Sequence, residues 1–335
     1  MTKTILIITD NLKDQINGVV TTYKNIEICA VRDGYNVVVL DPGWFRYIDC
    51  PGYNEVKIAY PRNLGKKIEE ISPDYIHIAT EGPLGLWARA YLSLGSIRHN
   101  TAYHTKFPEG LRKLFGIPES LTWRFVRWFH KHSGKVLTTT DSMVAELKAH
   151  EFSGEVIPWT RGVDRNFFYP RTYRHNEQLT LVCVSRVSKE KNLEAFFELD
   201  YPFAKKIMVG DGPMLEKYKK QYPNVEFVGF KTGHDLAYYY NLADVFVFPS
   251  QWETFGIVMI EAMACGTPVA AYPCQGPEDV IDEGITGCMN ADLKQAVKDA
   301  LMLDRTRVWE GSSRWTWEKA WEIFRDNLVE KSGTR

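Results

Sequence analysis

Short apolar runs alternate with segments of helical spacing along this chain, and this alternation limits the possible folds more than any other feature. In the first half the strand-like runs are Ile5–Thr9, Tyr35–Leu40, Tyr75–Ala79, Thr101–His104 and Val136–Thr139. The second half repeats the alternation with Leu179–Ser185, Lys206–Val209, Val225–Val228, Val245–Phe248 and Pro268–Ala271. Strands that alternate with helices predict a parallel sheet covered by helices on both faces. We therefore predict an α/β chain built from two doubly wound domains.

The length of 335 residues also fits two domains better than one core. We place an N-terminal Rossmann-like domain at 1–160, a linker at 161–178 and a C-terminal Rossmann-like domain at 179–313. A last helix at 314–335 carries one apolar stripe at helical spacing, made of Trp317, Ala320, Trp321, Phe324 and Leu328. We expect this helix to pack back across the domain junction.

Composition gives the chain the character of a soluble globular protein, with 44% hydrophobic and 25% charged residues. No stretch approaches the roughly 18 apolar residues that a membrane span needs. The first residues have the pattern of a strand rather than of a signal peptide. The six cysteines show neither metal-ligand nor redox spacing. These features predict a cytoplasmic protein without disulfides.

Two carboxylates follow the strand at Val245–Phe248, namely Glu253 in the next loop and Glu261 in the following helix. Ligands of doubly wound sheets bind at the carboxyl ends of strands, where this loop lies. We predict that the stretch Thr254–Ile257 begins the helix, so that its free N–H groups can hold an anion. The two carboxylates would then bind hydroxyl groups, one on a transferred sugar and one on a ribose. The alternative is that Glu253 caps the helix and Glu261 lies on a solvated face.

The string from Glu253 to Glu261, with Gly-Thr-Pro-Val behind it, resembles the E-x7-E signature of the family-4 retaining glycosyltransferases. The resemblance implies the GT-B fold, in which two Rossmann-like domains face a cleft. It also implies transfer of a hexose from a nucleoside diphosphate sugar with retention of configuration. No cofactor is expected beyond this co-substrate, a UDP- or GDP-sugar by preference. No metal is expected either, since the sequence has no Asp-x-Asp motif.

The same resemblance assigns further residues on the donor side. Arg186 and Lys191 match the pair that clamps the donor diphosphate, and with Glu253 and His104 they form the predicted catalytic set. The predicted donor-binding residues are Gly18, Val19, Gly210, Phe230, Thr254, Phe255, Gly256, Ile257 and Glu261. Alone, Arg186 and Lys191 would be an ordinary charge cluster, and Gly210 would be a tight turn.

Acceptor-side residues are predicted at two strand ends of the first domain. Tyr103, His104 and Lys106 follow one strand, and the family has a functional histidine at this point. Glu81 follows another strand, where it either binds an acceptor hydroxyl or caps a helix. The strings Asn-Gly-Val-Val, Thr-Glu-Gly-Pro-Leu-Gly and Tyr-His-Thr resemble the branch of diacylglycerol glycosyltransferases and GDP-mannose-dependent α-mannosyltransferases.

The acceptor itself is predicted from the stretch Leu111–Lys135, where basic residues alternate with aromatic ones. The basic residues are Arg112, Lys113, Arg124, Arg127, Lys131 and Lys135, and the aromatic ones are Trp123, Phe125, Trp128 and Phe129. This mixture suits an anionic membrane surface and a lipid acceptor, with the protein peripheral on the inner face. It also suits DNA, with a hydroxymethylated base as acceptor. The third reading is a core helix with a solvated basic face.

A sugar-nucleotide epimerase on the same fold is a further alternative, because it needs the donor half of the site without an acceptor. A sugar-binding module without catalysis is disfavoured, because the clamp and both glutamates are intact. The oligomeric state stays open at this point.

Overall fold

Two six-stranded parallel sheets form the centres of two separate units of the chain. The computed structural model describes residues 2–50, 53–104, 106–152, 154–171 and 178–332, without the side chains of residues 50, 53–56, 107 and 113–115. The first unit comprises Met1–Arg161 and Trp317–Arg335, and the second comprises Gly162–Thr316. The predicted α/β class with two doubly wound units is confirmed.

The strands are β1 (Thr4–Ile8), β2 (Asn36–Leu40), β3 (Arg46–Cys50), β4 (Tyr53–Tyr60), β5 (Tyr75–Ile78), β6 (Asn100–Tyr103), β7 (Val136–Thr138), β8 (Val156–Pro158), β9 (Thr180–Val184), β10 (Lys205–Val209), β11 (Val225–Gly229), β12 (Val245–Phe248), β13 (Val269–Ala271) and β14 (Gly287–Met289). The first sheet has the order β2-β1-β5-β6-β7-β8 and the second has the order β11-β10-β9-β12-β13-β14. All pairs within these two sheets are parallel. Central strands such as β1 and β9 are buried along almost their whole length, because helices cover both faces of a parallel sheet.

The helices are α1 (Gly18–Arg32), α2 (Leu64–Ile71), α3 (Pro83–Leu94), α4 (Phe107–Phe115), α5 (Glu119–His130), α6 (Asp141–Ala149), α7 (Glu194–Phe197), α8 (Leu215–Gln221), α9 (Gly233–Leu242), α10 (Ile257–Ala264), α11 (Pro277–Val280), α12 (Leu293–Ala300), α13 (Arg305–Gly311) and α14 (Trp317–Asp326). The side chain of Asn17 caps α1 by accepting a hydrogen bond from the Val20 amide. None of the described helices is long and apolar enough to cross a membrane.

The last helix, α14, belongs to the first unit although it follows the second unit in sequence. Its predicted apolar stripe is buried at Trp317, Ala320, Trp321 and Phe324. The Trp321 indole donates a hydrogen bond to Asp33, directly after α1, over 2.6 Å. The stripe ends earlier than predicted, because α14 ends at Asp326 and Leu328 lies beyond it.

The structure corrects the predicted linker at 161–178. The boundary between the units lies after Arg161, so residues 162–171 belong to the second unit. Val163 and Phe168 are buried in its core beside α9 and α10. Residues 172–177 of the linker lie outside the described part of the chain. An antiparallel hairpin of β3 and β4, which the sequence did not predict, occupies the first unit between β2 and α2.

Candidate active site

The loop after β12 carries the first of the two predicted carboxylates and leads into α10. Gly256 has φ +84°, a left-handed conformation, and a Cβ atom there would come within 2.7 Å of Met259 Cε. This conformation delays the helix until Ile257, so Thr254 and Phe255 precede α10 and do not begin it as predicted. The Phe255 side chain is buried and meets Trp315 edge to face at 5.3 Å. Phe255 can therefore contact a donor through its backbone only.

Lys191 and Glu253 form an ion pair at the carboxyl edge of the second sheet. Lys191 ends a short 3-10 turn after β9, while Glu253 follows β12, the neighbouring strand. Parallel pairing brings the two strand ends together, and the two side chains are only about one quarter and one fifth exposed. The structure thus places Lys191, one of the two cations predicted to bind the diphosphate, in direct contact with Glu253, the first glutamate of the motif. Since α10 has no side-chain cap, the alternative role of Glu253 as a helix cap is wrong.

Glu261 lies in the second turn of α10 and accepts a hydrogen bond from the hydroxyl of Tyr240 over 2.9 Å. Burial raises the pKa of the Glu261 carboxyl to about 7, and the bond from Tyr240 opposes this rise. Because Glu261 is partly buried and bonded to the fully buried Tyr240, the alternative of a solvated face is wrong. Tyr240, which sequence reasoning did not single out, carries no motif signal because its contact depends on the packing of α9 against α10.

Glycines shape the rest of this edge. Gly210 has φ +144°, and a Cβ atom there would come within 1.9 Å of the Ser185 carbonyl oxygen. The Gly210 amide in turn donates to the Gly229 carbonyl over 3.0 Å, so the ends of β9, β10 and β11 lie in contact. Arg186 and Phe230, both exposed, follow β9 and β11. The structure therefore gathers Arg186, Lys191, Gly210, Phe230 and Glu253 at the carboxyl edge of one sheet.

In the first unit, Gly18 and Val19 form the first turn of α1, directly after the cap Asn17. The first amides of a helix have no partner within it, so this turn offers N–H groups to a ligand. The prediction that Gly18 and Val19 bind a donor stays a prediction.

His104 follows β6 and is buried with both ring nitrogens bonded inside its own unit. The Arg161 guanidinium lies 2.9 Å from Nδ1, and the Tyr23 hydroxyl lies 3.0 Å from Nε2. Because arginine can only donate, Nδ1 accepts and Nε2 carries the proton. The Tyr23 hydroxyl then donates to His77 Nε2 over 2.7 Å. Burial, with the Arg161 charge, lowers the pKa of His104 well below its usual value.

This chain of bonds fixes the ring and tautomer of His104. A neutral histidine whose basic nitrogen already accepts from Arg161 has no lone pair to take a proton from an acceptor. The geometry favours a positioning role for His104, and its catalytic role stays a prediction.

The remaining acceptor-side predictions meet different outcomes. The Tyr103 side chain is fully buried and packs on Trp123. Its predicted place on the acceptor side stays a prediction. Lys106 immediately precedes α4 and is partly exposed, while Thr105 lies outside the described residues. Glu81 lies 3.3 Å from His130 Nε2 with a side chain only 9% exposed. The cap role predicted for Glu81 is wrong, because no side chain caps α3 from the N-cap position and the Glu81 carboxylate lies beside His130. Its role in binding an acceptor hydroxyl stays a prediction.

Gly82 occupies the N-cap position of α3, and the amides in the first turn of this helix are bound by Asp10, a residue that sequence reasoning missed. Its carboxylate accepts hydrogen bonds from the Thr80 hydroxyl and from the amides of Leu84 and Gly85, over 2.7, 2.6 and 3.3 Å. Burial nevertheless raises the pKa of Asp10 to about 6. The signal is weak in the sequence because Asp10 stands 74 residues from Leu84.

The basic-aromatic stretch Leu111–Lys135 divides between α4 and α5 and separates into buried and exposed groups. Trp123 stacks on His150 at 3.8 Å and Phe129 is buried, so these two belong to the core. Three of the cations have partners: Arg112 pairs with Glu119, Arg127 donates to the His150 carbonyl, and Lys135 donates to Asn327. The Lys113 side chain lies outside the described residues. We name the exposed remainder the α5 face, which consists of Leu121, Arg124, Trp128 and Lys131.

Each half of the chain matches a model of a known glycosyltransferase family. The model for Glycosyltransferase Family 4 matches residues 16–167, and the model for Glycosyl transferases group 1 matches residues 166–302. A sulfoquinovosyl transferase of Arabidopsis thaliana is 28% identical over 80% of this chain, which spans 55% of that protein's length. A GDP-mannose-dependent alpha-mannosyltransferase of Corynebacterium glutamicum is 25% identical over 94% of this chain and 86% of its own length. An alpha-monoglucosyldiacylglycerol synthase of Streptococcus pneumoniae is 27% identical over 88% of this chain and 77% of its own length.

Solved structures share the fold over nearly the whole chain. The sucrose-phosphate synthase of Thermosynechococcus elongatus superposes with a TM-score of 0.80 at 19% identity, covering 97% of this chain and 98% of its own. Anabaena HepE in complex with UDP-glucose gives a TM-score of 0.70 at 14% identity, covering 96% of this chain and 98% of its own.

Proposed function

Because this chain belongs to the family-4 glycosyltransferases of the GT-B fold, we propose that it transfers a hexose from a nucleoside diphosphate sugar to an acceptor hydroxyl with retention of configuration. The observation that carries the proposal is the pair of Lys191 and Glu253 beside the Gly210 turn. It joins a cation for a diphosphate with a carboxylate for sugar hydroxyls at a strand edge where ligands bind.

In the proposed reaction the bond between the anomeric carbon and the diphosphate oxygen breaks while a bond from the acceptor oxygen forms on the same face. The acceptor proton passes to the departing phosphate, so no side chain has to act as base. Arg186 and Lys191 stabilise the negative charge that grows on the leaving group. This scheme agrees with a His104 whose ring nitrogens are both engaged. It requires neither a metal nor a cofactor.

We assign Glu253 to the transferred sugar and Glu261 to the ribose of the donor. Glu253 lies beside Lys191, the cation next to the breaking bond in this scheme, whereas Glu261 lies further along α10. A UDP- or GDP-sugar is the proposed donor. Its support comes from the names of two similar proteins, one GDP-mannose-dependent and one solved with UDP-glucose.

The experiment that tests the donor is a thermal-shift screen with UDP-, GDP-, ADP- and CMP-sugars. A ligand that binds only the native state raises the melting temperature according to its affinity and concentration. We expect a shift with a UDP- or GDP-sugar that disappears in Glu261→Ala. The control is Glu216→Ala, a change of an exposed glutamate on α8. No shift with any of the four would contradict the proposal.

A membrane lipid or lipid-linked glycan is the proposed acceptor, with the enzyme peripheral on the inner face of a membrane. The α5 face offers two cations, Arg124 and Lys131, beside the apolar Leu121 and Trp128, a mixture that binds anionic lipid surfaces. The similarity to an alpha-monoglucosyldiacylglycerol synthase supports the same class of acceptor.

Co-sedimentation with anionic and with zwitterionic vesicles over a series of salt concentrations tests this acceptor class. We expect salt-sensitive binding to the anionic vesicles only, weakened when Arg124 and Lys131 are both changed to Gln. The matched control changes Lys217 and Lys220 on α8 of the second unit. Binding to duplex DNA instead would favour a base-modifying enzyme, and isomerised nucleotide sugar without acceptor would favour an epimerase.

A further inference from the structure

Tyr240 is the protein group that fixes the Glu261 carboxylate. Its hydroxyl donates to Glu261 Oε2 over 2.9 Å, and its side chain is fully buried. The ring lies edge to face with Phe168 and Phe246, at centroid distances of 5.9 and 5.5 Å. Packed between these rings, the phenol keeps one orientation and its hydroxyl stays aimed at the carboxylate.

The backbone of Tyr240 is held as firmly as its ring. The Thr267 hydroxyl donates to the Tyr240 carbonyl over 2.6 Å, and the Arg305 guanidinium donates to Thr267 Oγ1 over 2.8 Å. Arg305 also donates to the Ala243 carbonyl, directly after α9, over 2.6 Å. The end of α9 is thus anchored from the side of Thr267 and Arg305.

The carboxylate depends on this one bond. Among the described residues, Glu261 forms no ion pair, and Tyr240 supplies its one side-chain hydrogen bond. The other titratable groups nearby are the thiols of Cys265, directly after α10, and Cys183 on β9, with Arg171 and Arg305 near Cys265. A hydrogen bond to a charged acceptor in a buried site is strong and directional, so it can select one rotamer.

We propose that Tyr240 is a positioning residue of the donor site, which holds Glu261 so that Oε1 accepts from the ribose hydroxyls of a nucleoside diphosphate. The inference rests on the proposed function, because it needs Glu261 to contact the donor ribose. Tyr240 itself touches no ligand, and it acts through the orientation and charge of Glu261.

The test compares Tyr240→Phe with wild type in the binding of UDP and GDP and of their 2′,3′-dideoxy analogues, measured by calorimetry from pH 6 to 8.5. The control is Tyr239→Phe, a change of the neighbouring tyrosine on α9. At pH 8 we expect the ribonucleotide to bind Tyr240→Phe about tenfold more weakly, since a bond to a charged group is lost. Binding of the dideoxy analogue should change less than about twofold.

The pH dependence gives a readout that general loosening of the fold would not move. Donor binding should weaken as pH falls, when Glu261 gains a proton, and its midpoint should lie about one pH unit higher in Tyr240→Phe. Thr267→Val, which removes the bond to the Tyr240 carbonyl, should shift the midpoint in the same direction by less. It also serves as the test should Tyr240→Phe fail to fold.

Several results would overturn the inference. Equal losses for ribo- and dideoxynucleotides would mean that Tyr240 only supports the fold. An unchanged affinity and midpoint in Tyr240→Phe would remove its role while the proposed function stands. If wild type binds neither UDP nor GDP at any pH, the proposed function fails and the inference falls with it.

Discussion

Lys191 with Glu253 in the second unit, and His104 with Arg161 in the first, are both pairs of polar side chains that follow parallel strands. The first pair is partly exposed at the sheet edge, and each member has only this partner among the described side chains. In the second pair both residues are buried and linked onward to Tyr23 and His77. A polar residue at a strand end can thus be open to a ligand or committed to the protein.

This difference separates ligand binding from stability. Lys191 and Glu253 are partly exposed, so water and a ligand can reach both groups. In the proposed function the donor diphosphate takes the place of Glu253 at Lys191. A ligand could bond to the His104 ring only by taking from the buried guanidinium of Arg161 one of its acceptors, the others being the Trp159 and Thr160 carbonyls, and this costs about 1–3 kcal/mol. We therefore expect variants of Lys191 and Glu253 to lose activity first and variants of His104 and Arg161 to lose stability first.

The largest expected effect is on turnover. Lys191→Ala should lower kcat by roughly 10²- to 10³-fold, because it removes a cation that stabilises the leaving diphosphate. Its unfolding free energy should change by less than about 1 kcal/mol, since the ion pair with Glu253 is partly exposed. Initial rates of hexose transfer and urea unfolding measure the two effects. Lys189→Ala, two residues earlier and exposed, is the control and should keep its rate within about twofold.

His104→Ala should reverse this order of effects. It removes one hydrogen-bond partner each from the buried Arg161 and Tyr23 and leaves a cavity, and we expect a loss of about 2–4 kcal/mol in unfolding free energy. The pH profile of kcat should keep its shape, because no proton passes through the ring. The exposed His132 provides the matched control in His132→Ala. A stable His104→Ala protein whose acidic limb has vanished would restore His104 as a base.

The strands, the two-unit fold and much of the carboxyl edge of the second sheet could be predicted because their signals are local. An apolar run such as Val245–Phe248 predicts a buried strand by itself. Arg186, Lys191 and Glu253 each follow such a run within a few residues, so their place at the end of a strand could be predicted too. The bonds from Tyr240 to Glu261, from Leu84 to Asp10 and from Arg161 to His104 join residues 21, 74 and 57 positions apart, and no local pattern records them. The burial of the Tyr103 side chain could not be predicted for the same reason, since its partner Trp123 lies on another element.

Glycine substitution tests whether close backbone contact shapes the carboxyl edge of the second sheet. Gly210→Ala should destabilise the protein by about 2–3 kcal/mol, because its new Cβ atom meets the Ser185 carbonyl and its φ of +144° disfavours side chains. Gly229→Ala is the matched control, with φ +72° and open space around it, and should cost about 1 kcal/mol. Urea unfolding of both variants measures the difference. Equal losses would mean that backbone conformation, not contact with Ser185, sets the shape of this turn.

The smallest effects should come from two partly buried carboxyls with raised pKa values, one in each unit. Glu261, with a folded pKa of about 7 against 4.5, binds more proton when folded, so its contribution to stability is lost as pH rises from about 4.5 to 7. Glu261→Gln removes this loss and should be about 1–3 kcal/mol more stable than wild type at pH 8, with equal stability near pH 4.

Asp10 has the same sign of shift, with a folded pKa of about 6, and yet the opposite outcome is expected from Asp10→Asn. Its two oxygens accept from Thr80, Leu84 and Gly85, and an amide nitrogen cannot accept any of these bonds. Asp10→Asn should therefore lose about 1–2 kcal/mol at pH 8. Urea unfolding of both variants at pH 8 decides the comparison. A gain in both would show that desolvation alone governs buried carboxyls here, whereas opposite signs would show that hydrogen bonds from the protein distinguish a structural carboxylate from one left open for a ligand.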